Sequence, residues 1–169
     1  DEVEDPNFQY YLKRCVAVSG DTLEIRDKKV YINGQLQPLA PEAHYDQYAP
    51  TMPDEAYRTF PPGKGFTRDN YGPLVIPSEG DVVQLTPQNY PQWETFVRRE
   101  GHTIAISGNS ILIDGKASSS YKVERNYCFS LGDNRDHSLD SRYWGFVPME
   151  NVVGTPIMVY WRSEERRGG

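Results

Sequence analysis

Short apolar runs separated by turn-forming residues fill most of the chain, a pattern typical of antiparallel β-structure. Asp27-Lys28 and Ser107-Gly108-Asn109 each lie between two such runs, so each is predicted to be the turn of a hairpin. The strands predicted from all of these runs are 10–18, 23–25, 30–32, 81–85, 103–106, 111–113, 127–129, 152–153 and 157–161.

Two segments depart from this pattern. Residues 88–99 place aromatic and apolar side chains on one helical face and are followed by Gly101, which predicts a helix. Residues 37–77 are rich in proline and are predicted to be irregular; a loop of that length is usually functional or an excursion from the core. The expected fold is mainly antiparallel β with one short helix.

Composition narrows the class of protein. The chain of 169 residues is 37% apolar and carries a net charge of -6, which argues against nucleic acid as a main partner. No apolar run approaches the roughly 20 residues that span a bilayer, and no secretory signal opens the sequence. Cys15 and Cys128 are too few for a disulfide framework, and their apolar surroundings favour buried free thiols over a bond.

Lys13 is the first candidate for chemistry, because it lies within an otherwise apolar run. Burial and the neighbouring guanidinium of Arg14 both disfavour a charged amine. A neutral amine can serve as a general base. The alternative, which the strand pattern alone favours, is that Lys13 points to solvent from an edge strand.

The run 132–145 is dense in short polar side chains, which suggests a hydrogen-bonded turn that orients a catalytic group. One of its carboxylates can pair with Arg14 and another with Arg142, which leaves a hydroxyl free to hold an amine. A metal-binding acidic loop is the alternative, but the arginines in the run would oppose a cation. The acidic, basic and hydroxyl residues of the run are Asp133, Asp136, Asp140, Arg135, Arg142, Ser138 and Ser141.

Other motifs are weaker. Residues 119–122 match the Ser-Xaa-Xaa-Lys of penicillin-binding enzymes, but no Lys-Thr-Gly follows, and the serines are typical of a hairpin exit rather than a helix start. His44, His102 and His137 are isolated and lack the spacing of metal ligands.

Two segments together resemble the bacterial type I signal peptidases. Residues 13–21, Lys-Arg-Cys-Val-Ala-Val-Ser-Gly-Asp, are similar to the family's Lys-Arg-apolar…Gly-Asp box. Residues 132–148 resemble its Gly-Asp-Asn…Ser…Asp-Ser-Arg…Gly box nearly residue for residue. The long middle segment and residues 71–77 look most like the Bacteroidetes branch.

This resemblance implies a signal-peptidase-like β core made of 1–21 and 126–163, a β-rich insertion or cap domain at 22–125, and a tail at 164–169. It implies a membrane-anchored serine endopeptidase that uses a Ser/Lys dyad and needs neither a metal nor a cofactor. The enzyme would act on the periplasmic side of the cytoplasmic (inner) membrane. There it would remove signal peptides from secreted preproteins after small residues, in Ala-Xaa-Ala sequences.

The resemblance also assigns roles to residues. Lys13 takes the place of the general base, and Ser138 takes the place of the hydroxyl that orients its amine. Tyr11 and Leu12 match positions that line the pockets for the small side chains. The structural ion pairs would be Arg14 with Asp133 and Arg142 with Asp140.

One part of the family pattern is not matched. The nucleophile lies in a Ser-Met-Xaa-Pro-Thr-like box upstream of the Lys box and just after a membrane anchor; residues 1–12 do not resemble it, and every serine follows Lys13. We therefore expect this chain to carry the base without the nucleophile or the anchor, and to be inactive alone. The alternatives are a non-catalytic homologue that binds extended peptides by strand addition, and a self-cleaving repressor on the same fold.

Overall fold

The structure is a computed structural model that describes residues 11–46 and 55–155. The strands are β1 (Arg14–Val18), β2 (Thr22–Arg26), β3 (Lys29–Ile32), β4 (Gln35–Leu36), β5 (Tyr71–Val75), β6 (Val82–Gln84), β7 (Ile104–Ser107), β8 (Ser110–Ile113), β9 (Lys116–Ser118), β10 (Ser120–Lys122), β11 (Tyr127–Leu131) and β12 (Val147–Pro148). The helices are α1 (Glu55–Arg58), α2 (Tyr90–Arg99) and α3 (Ser141–Trp144), and a 3-10 turn covers Met149–Asn151.

Within these residues the strands form four antiparallel sheets. Their strand orders are β1-β11-β12, β4-β3-β2-β5, β7-β8-β9 and β10-β6. The prediction of a mainly antiparallel β fold is therefore confirmed. The sheet β1-β11-β12 combines the two segments that carry the family resemblance.

Both predicted hairpins are present. Asp27 and Lys28 adopt positive φ values of 47° and 67°, the backbone of a tight turn, and Arg26 pairs with Lys29 across it. β7 and β8 are joined by a similar short turn at 108–109. The period-two alternation of apolar residues located these strands correctly.

The segment 37–77 is less irregular than predicted, because it contains α1 and β5. Gly72 and Pro73 hide the strand in the sequence, but β5 lies at an edge of its sheet, where a proline is tolerated. Gly72 has a φ of +85°, and a Cβ there would lie 2.6 Å from the carbonyl oxygen of Leu23. The insertion therefore contains two helices, α1 and α2, instead of the single helix expected.

Two other strand predictions are wrong. Val152 ends the 3-10 turn and Val153 is 77% exposed, so neither belongs to a strand; residues 157–161 lie outside the described residues. β1 starts at Arg14, although the prediction placed its start at residue 10, which is also outside them. Arg14 pairs with Leu131, the last residue of β11, and the chain turns away immediately afterwards.

β1 contains a bulge between Cys15 and Ala17 and lies at the edge of its sheet in the described residues. Both cysteines are free thiols, as expected. Cys128, in the central strand β11, is buried, but the prediction that Cys15 is buried is wrong. Cys15 is exposed because it lies on the edge strand, with no described strand beyond it.

Helix α2 joins the insertion to the strands of the predicted core. The ring of Phe96 lies 4.9 Å from that of Tyr127, 5.9 Å from that of Phe146 and 6.3 Å from that of Tyr121, measured between centroids. At the end of α2, the hydroxyl of Tyr127 donates a hydrogen bond of 2.5 Å to the carboxylate of Glu100. Side chains from both parts of the chain thus pack in one hydrophobic cluster. The division into core and insertion domains stays a prediction.

Replacing Phe96 with alanine tests this packing. Phe96 is 3% exposed, so Phe96→Ala should leave a cavity and lower the free energy of unfolding by about 3–5 kcal/mol. Because both parts share the cavity, tryptophan fluorescence and far-UV circular dichroism should still follow a single transition in urea. The control Val82→Ala, at a position 60% exposed, should change stability by less than about 0.5 kcal/mol. Two separated transitions in the Phe96 variant would show independent domains instead.

Candidate functional site

A buried ion pair closes the run 132–145. The guanidinium of Arg142 donates two hydrogen bonds to the carboxylate of Asp140, Nε to Oδ1 at 2.9 Å and Nη2 to Oδ2 at 2.8 Å. Asp140 is 0% exposed and Arg142 is 1% exposed. Burial alone would lower the pKa of Arg142, but its hydrogen bonds to Asp140 hold the pKa above its ordinary value. Arg142 therefore keeps its charge inside the protein.

Asp140 of this pair also connects the beginning of the loop to α3. Asp140 accepts a hydrogen bond of 3.0 Å from the backbone N–H of Gly132 and also caps the first turn of α3. Next to it, the hydroxyl of Ser141 accepts a hydrogen bond of 3.0 Å from the backbone N–H of Ser130. The end of β11 and the beginning of the loop are thereby attached to the start of α3.

A second ion pair attaches the loop to β1. The guanidinium of Arg14 donates to both carboxylate oxygens of Asp133, at 2.9 and 3.0 Å. The hydrogen bond from Arg14 holds the pKa of Asp133 below its usual value. Glu42 lies 3.3 Å from the same guanidinium, a contact for which the sequence offered no indication. Both ion pairs expected from the resemblance are therefore present.

The Nζ of Lys13 and the Oγ of Ser138 both lie close to Gly132. A Cβ built at position 132 would lie 2.0 Å from the Oγ of Ser138 and 3.5 Å from the Nζ of Lys13, so both polar atoms border the same small space. Lys13 is half-buried, and its amine lies within van der Waals reach of this space. The Oγ of Ser138 is buried and has no hydrogen-bond partner among the described residues.

The predicted substrate-binding residues precede Lys13 and are exposed. Tyr11 is 63% exposed and Leu12 is 74% exposed. The ring of Tyr11 lies 5.6 Å from that of Trp144, at the end of α3. The exposed side chains of residues 11–12 thus belong to the two residues directly before Lys13 in the chain.

Comparisons with known proteins place the chain in a family. A family model described as signal peptidase, peptidase S26, matches residues 2–161. The chain belongs to the signal peptidase family. It is 30% identical over 157 residues to a signal peptidase I of Helicobacter pylori, covering 90% of this chain and 49% of that protein.

Further relatives give the same result. A signal peptidase I of Aquifex aeolicus is 29% identical over 171 residues, which covers 91% of this chain and 57% of that protein. One from Buchnera aphidicola is 56% identical over 45 residues, covering 27% of this chain and 14% of that protein. The chain spans about half the length of the first two relatives.

Residues of the predicted insertion also hold the loop, through contacts that sequence reasoning missed. The buried carboxylate of Asp136 lies 3.2 Å from the Nζ of Lys28 and 3.5 Å from the Nε of Arg68. It also accepts a hydrogen bond of 2.7 Å from the backbone N–H of Asp46. No local pattern distinguishes Lys28 or Arg68 from the other basic residues of turns and loops.

Backbone contacts add to this attachment. His44 and Asn134 form a parallel bridge, in which the N–H of His44 donates to Asp133 at 2.9 Å and the N–H of Arg135 donates to His44 at 3.0 Å. The segment before residue 46 therefore lies directly against the loop.

The remaining motifs lie elsewhere. Residues 120–122 form β10, so the Ser-Xaa-Xaa-Lys match does not open a helix. His102 contacts Asp114 at 2.6 Å and Glu124 at 3.0 Å, which raises the pKa of the imidazole. In residues 11–46 and 55–155, no cluster of three or more potential metal-ligating side chains occurs, and no helix has the length and apolarity needed to cross a membrane.

Removing Arg142 tests how far the loop depends on the buried pair. Arg142→Met leaves the carboxylate of Asp140 buried without its partner and should lower the free energy of unfolding by about 3–5 kcal/mol. The control Arg98→Met removes an exposed arginine that pairs with Glu94 at 3.2 Å, and should cost less than about 1 kcal/mol. Urea denaturation of the two variants measures both values; equal losses would contradict the role given to the buried pair.

Gly132→Ala tests the space between the amine and the hydroxyl. Its Cβ would lie 2.0 Å from the Oγ and 2.5 Å from the Cβ of Ser138, so Ser138 must move and stability should fall by about 1–3 kcal/mol. In a Ser138→Gly background these atoms are absent, and the same substitution should cost clearly less. Thermal denaturation of the four proteins gives the coupling energy. A coupling energy of zero would mean that the two residues do not share this space.

Proposed function

We propose that the protein containing this chain is a signal peptidase: a serine endopeptidase that removes signal peptides from secreted preproteins with a Ser/Lys dyad. The main support is that the Lys13 amine and the Ser138 hydroxyl both lie close to Gly132. It occurs on a loop held by two ion pairs, in a chain that belongs to the signal peptidase family.

In the proposed mechanism Lys13 moves the protons. Its neutral amine takes the proton from a serine hydroxyl, whose oxygen attacks the carbonyl carbon of the scissile peptide bond. The protonated amine then donates to the leaving nitrogen, and the C–N bond breaks to leave an acyl-enzyme. Lys13 next takes a proton from a water molecule, whose oxygen attacks the ester carbon. As the ester C–O bond breaks, the protonated amine returns the proton to the serine oxygen, and the released carboxylic acid ionises in the solvent.

Ser138 acts in this proposal as a positioning residue. Its Oγ borders the space at Gly132 and has no hydrogen-bond partner in the described residues, so it is available to hold the amine. The attacking serine would lie outside residues 1–169. In the family the nucleophile precedes the Lys box, and in this sequence no serine precedes Lys13. The oxyanion hole would come mostly from the same segment.

Substrate recognition would use the segment directly before the base. Tyr11 and Leu12 are exposed, and β1 has β11 on only one side among the described strands. A signal peptide in extended form would lie along this segment. Shallow pockets there would admit only small side chains, in Ala-Xaa-Ala sequences. Such an enzyme would be anchored in the cytoplasmic membrane with this chain on its periplasmic side.

The edge of β1 that pairs with none of the described strands also favours a second candidate function. A non-catalytic homologue would bind extended peptides by strand addition at the same edge and release them uncut. The two functions differ in whether the bound peptide is cleaved, and therefore in whether Lys13 matters beyond binding.

The test uses the protein expressed from its complete gene and a preprotein with an Ala-Xaa-Ala site. Lys13→Met should lower kcat by about 10³-fold or more while leaving KM nearly unchanged, because a base acts in the chemical step. Ser138→Ala should lower kcat less and shift the pH profile, as expected of a group that positions the base. The control Lys116→Met, at an exposed position on β9, should behave like the wild type.

Two results would overturn parts of this proposal. Full activity of the Lys13 variant would exclude the dyad, and peptide binding without any cleavage by the wild type would favour the strand-addition function. Cleavage by the 169-residue chain alone, abolished by Ser138→Ala, would make Ser138 the nucleophile instead of the positioning residue.

A further inference from the structure

A surface cavity of about 580 Å³ lies between β1, the β2–β3 turn and the segment that follows β4. Arg14 and Cys15 of β1 contribute to its wall, but Lys13 and Ser138 do not, so it is distinct from the space at Gly132. The residues that matter for its chemistry are Arg14, Lys28, Lys29, Arg135, Tyr45 and Cys15.

Arg135 is the unusual member of this wall. It is 4% exposed, yet none of the carboxylates in the described residues forms an ion pair with it. Its Nη1 donates a hydrogen bond of 3.4 Å to the hydroxyl of Tyr45, and its guanidinium lies 5.9 Å from the Tyr45 ring centroid. Its Nε is buried and has no hydrogen-bond partner within residues 11–46 and 55–155.

A buried guanidinium without an anion is costly, because its charge and its N–H groups need partners. One carboxylate that Arg135 influences electrostatically, Asp133, makes its hydrogen bonds with Arg14. Arg135 therefore lies at the cavity with unused hydrogen-bonding capacity for an oxyanion.

The charged side chains that line the cavity are mostly positive, like Arg135. Its wall includes the basic residues Arg14, Lys28, Lys29 and Arg135 but only one acidic residue, Asp27. Arg14 and Lys28 already pair with carboxylates of the loop. Lys29 is exposed and has no described partner, so it can follow Arg135 in binding an anion from the solvent side.

The opposite part of the wall is apolar. Leu36 and Leu39 are 56% and 51% exposed and line the cavity together with Val30. Exposed leucines beside a basic group suit a ligand with a charged head and a hydrocarbon tail.

We propose that this cavity is a binding site for an oxyanion, phosphate or carboxylate, that carries an apolar tail. The head group accepts hydrogen bonds from Arg135 and Lys29, and the tail lies on Leu36 and Leu39. This site rests on no part of the proposed peptidase activity.

Cys15 provides a direct reporter of occupancy. It lies in the cavity wall and is exposed, whereas Cys128 is buried. A hydrogen bond with Cys128 lowers the pKa of the Cys15 thiol to about 7, so alkylation near pH 7.5 should modify Cys15 selectively. A ligand in the cavity should slow this alkylation, which mass spectrometry of the two cysteine peptides measures.

The probes are hexyl phosphate, hexanoate, inorganic phosphate and hexanol. Hexyl phosphate or hexanoate should protect Cys15, and the one that does so at lower concentration identifies the preferred head group. Inorganic phosphate should require at least about tenfold more than hexyl phosphate, because it lacks the tail. Equal protection by uncharged hexanol would overturn the proposal, as would no protection by either hexyl anion.

Variants separate the roles of the basic residues. Arg135→Gln should weaken protection about tenfold or more, since a charge-assisted hydrogen bond is lost. Lys29→Gln, at an exposed position where folding is not at risk, should weaken it about two- to fivefold. In the matched control Lys116→Gln, on strand β9, the probes should protect Cys15 as they do in the wild type. Unchanged protection in both the Arg135 and Lys29 variants would contradict the proposal.

Discussion

The ion pair between Asp140 and Arg142 is the interaction on which the rest of the site depends. Two opposite charges can remain buried only if every oxygen and N–H of the pair has a partner. Gly132 and the backbone of α3 supply donors to the carboxylate, and the carbonyl of Arg135 accepts from the guanidinium at 2.6 Å. In the loop held by these contacts, Ser138 lies over Gly132.

The position of the loop relative to β1 depends on a different set of charges. Arg14 connects Asp133 to the strand that follows the lysine, and Lys28 with Arg68 connects Asp136 to the insertion. The insertion is therefore part of the scaffold of the site. A change in the β2–β3 turn can reach the loop through a single buried carboxylate.

Sequence patterns predicted the parts of the fold in which local chemistry is decisive. Alternating apolar residues and the Asp27-Lys28 turn are local signals, so the hairpins were predicted correctly. Gly72 and Pro73 broke that alternation and concealed β5, whose place depends on its pairing with β2. Val152 and Val153 looked like a strand, but an apolar dipeptide does not specify whether a neighbouring strand exists to pair with it.

The site was predictable to the extent that the two motifs resemble a family. The pairs of Arg14 with Asp133 and Arg142 with Asp140 followed from that resemblance, since the run offers three carboxylates and no local rule chooses among them. Arg68 lies 68 positions from Asp136 in the sequence. That the Nε of Arg135 has no hydrogen-bond partner among the described residues depends on which side chains surround it in space. Such features arise only from the tertiary structure.

The hydrogen bond between Arg14 and Asp133 joins residues 119 positions apart. Contacts of such long range form late, because the chain must first lose the entropy of closing the loop between them. During synthesis, Lys13 emerges long before Asp133, Ser138 and Arg142. The amine can therefore acquire its hydroxyl neighbour only when most of the chain has been made, and a nascent or truncated chain that ends before residue 133 has no assembled site.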